Sequence, residues 1–373
     1  MNLKSFKLAE LSDVHLGHST TPTEHILNSL RAAFPSNSET AALDMIVIAG
    51  DLFDRLLNLP EDDVSPIRRW MNDFLRMCKR HDIVLRVLEG TPSHDWKQSA
   101  MFEEINEIAD IGADCKYVSN LSIEYIERFG FTFLYVPDEW RPDPNQTWQE
   151  VLALLKENNL DKVDFGIMHG FFPHQLPAHL VPGSHDPERY LGIVSKVIFI
   201  GHVHKFSEYD RIYSAGSTDR ISHGEESPKG HLRYTLEEDG TYRVKFIENV
   251  NAMIYKSIDC TGLDGEDLHR EVEKVIATLP KRSAVRLISP KSEVASASLK
   301  YFKDKYTDFI WSMKVDAKTF KHAEELIVKR RDQKIVKITK DNIVPLLHER
   351  LKVKRPDQAE SCVKILKDVV DGK

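Results

Sequence analysis

Five short stretches of this 373-residue sequence combine aspartate, histidine and serine in ways that suit metal-assisted chemistry. LSDVHLGH supplies Asp13, His15 and His18, and IAGDLFD supplies Asp51 and Asp54. EGTPSHD supplies Ser93, His94 and Asp95, IMHG supplies His169, and IGHVH supplies His202 and His204. Each cluster follows an apolar, strand-like run, and α/β sheets bind ligands beyond the carboxyl ends of their strands. Five strands ending in potential ligands therefore predict one convergent site. Carboxylates mixed with neutral imidazoles suit manganese, iron or zinc better than magnesium or calcium, which favour all-oxygen shells. The pairs Asp13/His15 and His202/His204 are two residues apart, a spacing that places both members on one side of a strand end. A carboxylate shared by two ions about 3.5–4 Å apart is the usual core of a two-metal hydrolase. Asp51, on a Gly-Asp turn directly after a strand, is the best candidate for that bridge. A lone D-x-H or G-H-x-H means little; the signal is the five clusters together, each at a strand end.

The elements that must position these residues are legible as alternating patterns. Strand-like runs lie at 45–50, 83–90, 131–137, 164–170 and 196–204, rich in β-branched and aromatic residues. Between them are helical patterns at 65–81, with Ser65 as N-cap and Pro66 at the first helical position, and at 97–110 and 147–158. Alternation of this kind argues for an α/β domain over residues 1–250, closed by a hairpin at 231–250 turning on Asp239-Gly240. Residues 251–316 then read as a small βαβαβ domain. The tail, 317–373, reads as helical, with two amphipathic segments around Pro356 whose apolar faces suit either their own domain or a partner.

Bulk composition narrows the class. No apolar run approaches the ~18–20 residues of a membrane span, and the N-terminus lacks a signal-peptide pattern. Four scattered cysteines form no C-x-x-C pair, which argues for a reducing compartment and against a thiolate zinc site. A soluble cytoplasmic protein is expected. The net charge of −7 is uneven: Lys281 to Arg355 carries 20 Lys and Arg against 9 Asp and Glu, a net +11, leaving −18 elsewhere. A basic end on an acidic body suits a polyanionic partner, although a solvated Lys/Glu surface has the same composition.

The motifs D-x-H, G-D-x-x-D, a glycine loop with His-Asp, H-G and G-H-x-H, in this order, resemble the calcineurin-like metallophosphoesterase superfamily. Within it, DVHLG, GDLFD, GHVHKF and IYSAGSTDRISHGEESPKG are similar to SbcD-type DNA nucleases, phage relatives included. The resemblance implies a metallophosphoesterase β-sandwich flanked by helices, a small α/β capping domain, and a helical tail that docks on an SbcC-like coiled-coil ATPase. It also implies a homodimer, and a host-cytoplasm location if the chain is phage-encoded. Two divalent ions, Mn2+ by the resemblance, would be held by Asp13, His15, Asp51 and His204 and by Asp51, residue 93, His169 and His202. His94 would be the catalytic histidine, with Asp95 orienting it; Asp54, His18, Arg220 and His223 are candidate substrate contacts. The departure is residue 93, where the family shows asparagine: Ser93 keeps a neutral oxygen on a shorter arm, or else only caps a turn. A second Ser-His-Asp, at 184–186, reads as a loop turn.

Three functions follow. The first is a Mn-dependent DNA exo- or endonuclease in end processing, repair or recombination, working with the ATPase. The second is a stand-alone metallophosphoesterase on nucleotides or small phosphoesters, which leaves the C-terminal residues without a role. The third is a DNA- or partner-binding scaffold with an impaired site, supported only by the serine.

Overall fold

The computed structural model describes residues 5–58, 61–138, 143–177, 183–263, 265–289, 292–315, 343–354 and 359–370. The chain divides into two compact units, Met1–Val315 and Asp316–Lys373. Two six-stranded sheets form the frame of the first unit.

The first sheet places β1 (Ser5–Leu11), β2 (Met45–Ala49), β3 (Val84–Leu88) and β4 (Cys115–Val118) in parallel. The second contains the parallel run β6 (Phe131–Val136), β7 (Val163–His169) and β8 (Val194–Gly201), edged by β5 (Ser122–Ile126) and by β9 (Ser207–Tyr209) and β10 (Ile212–Ser214). The hairpin β11 (Gly230–Glu237) and β12 (Tyr242–Glu248) extends the first sheet antiparallel to β1. Its turn is the expected one, with Gly240 at φ +84° and Asp239 accepting a hydrogen bond from the Thr241 amide at 2.9 Å.

Alternation along each strand explains the layering. In β2, Met45, Val47 and Ala49 join Leu8, Phe133, Phe165 and Phe199 in the core between the sheets. Ile46 and Ile48 face the other way, packing with residues of α1 (Thr23–Ala33) and α3 (Val64–His81). Both faces are covered, so the central strands read as unbroken apolar runs. On the outer face of the second sheet, Leu134, Met168, Ile198 and Ile200 meet α6 (Pro144–Glu157) and α7 (Pro187–Ile193). The mixed α/β sandwich flanked by helices that the sequence leads one to expect is the observed fold.

Helix ends differ from the reading in small ways. Helix α3 starts at Val64 with Asp63 at the cap position, two residues earlier than a Ser65 cap would place it. Pro66 is tolerated there because the first-turn amides have no intrahelical partner to lose. Asp186 of the second Ser-His-Asp caps α7, accepting from the Glu188 amide at 3.0 Å, as a loop turn would.

Residues 255–315 form a three-stranded parallel sheet, β13 (Tyr255–Asp259), β14 (Ala284–Ser289) and β15 (Ile310–Val315), with α8 (Gly265–Ile276) and α9 (Ser292–Lys305). Val272, Leu287, Phe302 and Trp311 make its own core. In the second unit, α10 (Ile343–Lys354) and α11 (Ala359–Val370) are connected by a contact of His348 Nε2 with Glu360 Oε1 at 3.2 Å. The stretch 316–342, which holds much of the basic segment, lies outside the described residues. Among the described residues no helix is long and apolar enough to cross a membrane.

Candidate metal centre

Strands β1, β2, β3, β7 and β8 deliver their carboxyl ends to one place. The residues there do not continue the strands. Asp13, His15 and Asp51 adopt left-handed backbones at φ 51°, 57° and 51°, and His202 has φ 108°. Non-glycine residues rarely hold such angles, at a cost of order 1–3 kcal/mol each, and they do so where surrounding structure fixes them. Here the amides of Val14 and His15 both donate to the Asp51 carbonyl, at 2.8 and 3.1 Å, lacing the two loops together. The strand-alternation argument for Asp13/His15 and His202/His204 is therefore corrected. These pairs converge because the chain coils after the strand ends, at Leu11 and Gly201.

Among the described residues, three groups of side chains have ligand atoms within 4.8 Å of one another: Asp13, His15 and His204; His15, Asp51 and His94; and Asp51, His169 and His202. Asp51 belongs to two groups, with Oδ1 3.3 Å from His169 Nε2 and Oδ2 4.0 Å from His15 Nε2. It stands between the other members of both groups, directly after the Gly-Asp turn.

The imidazole partners decide which nitrogens face the centre. His169 Nδ1 donates to the Ala49 carbonyl at 2.8 Å, so Nε2 is the nitrogen turned toward the Asp51 carboxylate and its neighbours. His204 Nδ1 lies 3.1 Å from Glu225 Oε1, and its Nε2 is 3.0 Å from His15 Nε2. His15 Nδ1 is 3.3 Å from Asp54 Oδ1, an ion-pair distance that is not aligned as a hydrogen bond. The two Nε2 atoms thus face each other at a distance that one ring's N–H or a shared cation would satisfy, with Asp13 Oδ1 3.8 Å from His204 Nε2. The donor set of carboxylates and imidazoles fits a transition metal.

Burial and charge act against each other throughout. Burial would raise the Asp51 carboxyl, but His169 and His15 hold it well below its ordinary range. His169 responds in the opposite sense: burial lowers it, and Asp51 pushes it up to about 10. Glu225 is raised by burial and drawn down to about 2 by His204 and Lys229.

The other expected residues divide. His94 joins the centre, its Nδ1 3.0 Å from the Asp54 carbonyl and its ring centroid 5.1 Å from that of His15. Asp95 does not orient it. Fully buried, Asp95 accepts from the Phe53 amide at 2.8 Å and the Gly90 amide at 2.7 Å, so it fastens the β2 and β3 loops to each other. Ser93 is also corrected: it is exposed on the one-turn helix α4 (Pro92–Asp95), its carbonyl accepting from Trp96 Nε1 at 2.9 Å. Thr91 is the hydroxyl at the centre, with Oγ1 3.3 Å from Asp51 Oδ2, 3.4 Å from His169 Nε2 and 3.4 Å from His202 Nδ1. His18 is spent locally, its Nδ1 accepting from the Thr20 and Thr21 amides at 3.2 and 2.9 Å. Arg220 donates to the carbonyls of Glu225, Ala252 and Met253, and His223 contacts Ser257 Oγ at 3.2 Å. Both serve the junction with the small domain.

Glu225 and Lys229 escaped the sequence reading. Lys229, 1% exposed, pairs with Glu225 at 3.0 Å and donates to the His204 carbonyl at 2.6 Å. Their signal was the GEESPK run after the Gly-Ser turn, where a buried Lys-Glu pair cannot be told from surface charge without the fold.

Comparison with known proteins follows the same line. The family model of the calcineurin-like phosphoesterases matches residues 6–206. No curated protein matches in sequence. Among solved structures, GAP50, described as the anchor in the inner membrane complex of Plasmodium, is 14% identical, covering 66% of this chain and 86% of its own, with a TM-score of 0.42. A second crystal structure is also 14% identical, covering 65% of this chain and all of its own, with a TM-score of 0.35. The matched span contains every strand that ends at the centre and every member of the three Asp/His groups, though not Glu225 behind His204, and the chain belongs to the calcineurin-like phosphoesterase family.

Proposed function

We propose that this protein is a two-metal phosphodiesterase that cleaves DNA, of the SbcD type, working with an SbcC-like coiled-coil ATPase in DNA end processing, repair or recombination, with Mn2+ as its metal. The observation that carries the metal-dependent part is the joining of two ligand clusters through Asp51, with His94 beside them. One ion falls to Asp13, His15, Asp51 and His204, the other to Asp51, His169 and His202. When bound, such a pair polarises a phosphoryl group and activates water for in-line attack.

The chain's own residues do the rest. Asp51 keeps the ions adjacent, and the Ala49 carbonyl and Glu225 fix the tautomers of His169 and His204. The Asp54 carbonyl fixes His94 through Nδ1, leaving Nε2 to hydrogen-bond a phosphoryl oxygen or protonate the leaving oxygen. The DNA part rests on the SbcD-like motifs, the βαβαβ domain after the phosphoesterase fold, and the +11 segment. A homodimer and a helical docking tail belong to the same reading.

The test is digestion of end-labelled linear DNA with Mn2+, with and without the ATPase. Cleavage is expected, and His94→Gln should lower it by about 10²–10⁴-fold while leaving bound metal unchanged. Hydrolysis of bis(p-nitrophenyl) phosphate with every DNA substrate intact would instead establish a phosphoesterase of small esters.

A further inference from the structure

We infer that the Thr91 hydroxyl is the fourth protein ligand of the Asp51–His169–His202 site, in place of an amide oxygen. This rests on the two-metal reading above and assigns one residue within it.

Distances carry the argument. Thr91 Oγ1 stands 3.3 Å from Asp51 Oδ2 and 3.4 Å from each of His169 Nε2 and His202 Nδ1; His169 Nε2 is 3.3 Å from Asp51 Oδ1. A hydroxyl can donate once and accept twice, so the number of its neighbours is satisfiable; what marks these contacts is that all three are long beside the ~2.7–2.8 Å usual for a hydroxyl donor to oxygen. They lie near the separation of neighbouring ligands on one ion, about 3.4 Å for metal–ligand bonds of about 2.1 Å, with Thr91 facing Asp51 Oδ2 and His169 facing Oδ1.

The local backbone is built to deliver that hydroxyl. The Thr91 amide donates to Asp51 Oδ1 at 2.5 Å. Such closeness requires glycine before it, because a Cβ on Gly90 would fall 2.0 Å from the Asp51 amide nitrogen. Pro92 follows, and a residue before proline is driven to extended backbone; Thr91 has φ −62° and ψ 123°. Thr91 therefore stands directly after the loop glycine. Pro92 and Ser93 separate Thr91 from His94 and form the first turn of α4. Serine beside His94 drew attention by adjacency in sequence, while the space is filled from two residues upstream.

A hydroxyl is a weaker donor than a carboxylate or imidazole, so this site should hold its ion less firmly than the site around Asp13 and His15. Full-length protein is loaded with Mn2+, and bound metal is counted by mass spectrometry and titrated by electron paramagnetic resonance. Thr91→Val keeps the shape and removes the oxygen; it should weaken one of two ions by at least about tenfold and leave the other. Thr91→Ser should restore it, and Ser93→Ala should change neither. Thr91→Cys, loaded with Co2+, should show a thiolate-to-metal charge-transfer band, a direct readout that also serves if the valine variant does not fold. In a wild type that binds two ions, unchanged affinities in Thr91→Val, or loss of an ion in Ser93→Ala, overturn the Thr91 assignment alone. Absence of the band in folded, cobalt-loaded Thr91→Cys does the same. A wild type that binds fewer than two ions overturns the two-metal reading and this assignment with it.

Discussion

The two ligand clusters are built differently behind their histidines. Around Asp13, both imidazoles have a carboxylate at Nδ1: Asp54 at 3.3 Å from His15 and Glu225 at 3.1 Å from His204. Across Asp51, His169 is backed by a main-chain carbonyl, Ala49, and His202 lies against the Phe171 ring with centroids 5.8 Å apart. A carboxylate behind an imidazole raises its basicity as a ligand, whereas a carbonyl mainly fixes its tautomer. The first cluster is therefore the more anionic and the second the more neutral. On the two-metal reading the pair should bind its ions unequally, with the second ion the one that exchanges.

The harshest way to break this comparison is to remove the group both clusters share. Asp51→Asn should cost both ions and lower turnover of bis(p-nitrophenyl) phosphate by about 10³-fold or more, the loss of several kcal/mol of charge stabilisation. Retention of one tightly held ion, read by metal counting, would show that the clusters do not depend on a common bridge. A smaller effect separates them. Glu225→Gln keeps the size and a hydrogen-bond acceptor but removes the charge behind His204. It should weaken only the ion of the first cluster, by about 10–100-fold, in a Mn2+ titration. An equal loss from both clusters would mean that Glu225 acts by holding the fold, through its contacts with Lys229 and the Ile221 amide.

How much of this could be read beforehand follows the same division. Aspartates and histidines that end apolar strands announce themselves, because their types are chemically specific and strand ends converge by topology. Asp13, His15, Asp51, His94, His169, His202 and His204 all lie at the centre for that reason. Residues that act through shape were hidden. Thr91 reads as half of a Thr-Pro turn, and only the close approach of Gly90 to Asp51 brings its hydroxyl inward. Asp95 reads as a partner of His94 because it is next to it, yet it is turned to the amides of Phe53 and Gly90. Arg220 and His223 read as phosphate contacts and instead engage residues 252–257, a junction that lies 32 to 34 residues downstream and has no local signal. The layering was more legible than the helix starts, since burial on both faces writes itself into a strand while a cap can shift by a residue at little cost.

The mildest test isolates burial with no carboxylate behind the ring. His231 on β11 is buried, accepts from Arg233 Nε at 3.0 Å and lies 5.4 Å from the Phe34 ring. Burial, with the Arg233 charge, lowers it from 6.5 to about 3, opposite in sense to His204, where Glu225 outweighs burial. The folded state then binds fewer protons at this ring than the unfolded chain does between those values. The contribution to stability is complete above about 6.5 and declines as pH falls toward 3, by up to about 1.4 kcal/mol per pH unit. His231→Gln retains an acceptor for Arg233 and cannot titrate, so its denaturation midpoint should fall less steeply than wild type over that window. His185, lowered to about 4 by burial, contributes equally to both proteins and cancels in the difference. Parallel midpoint curves would mean that the His231 ring is protonated in the fold, and that burial alone does not set the histidines of this molecule apart from those backed by Asp54 and Glu225.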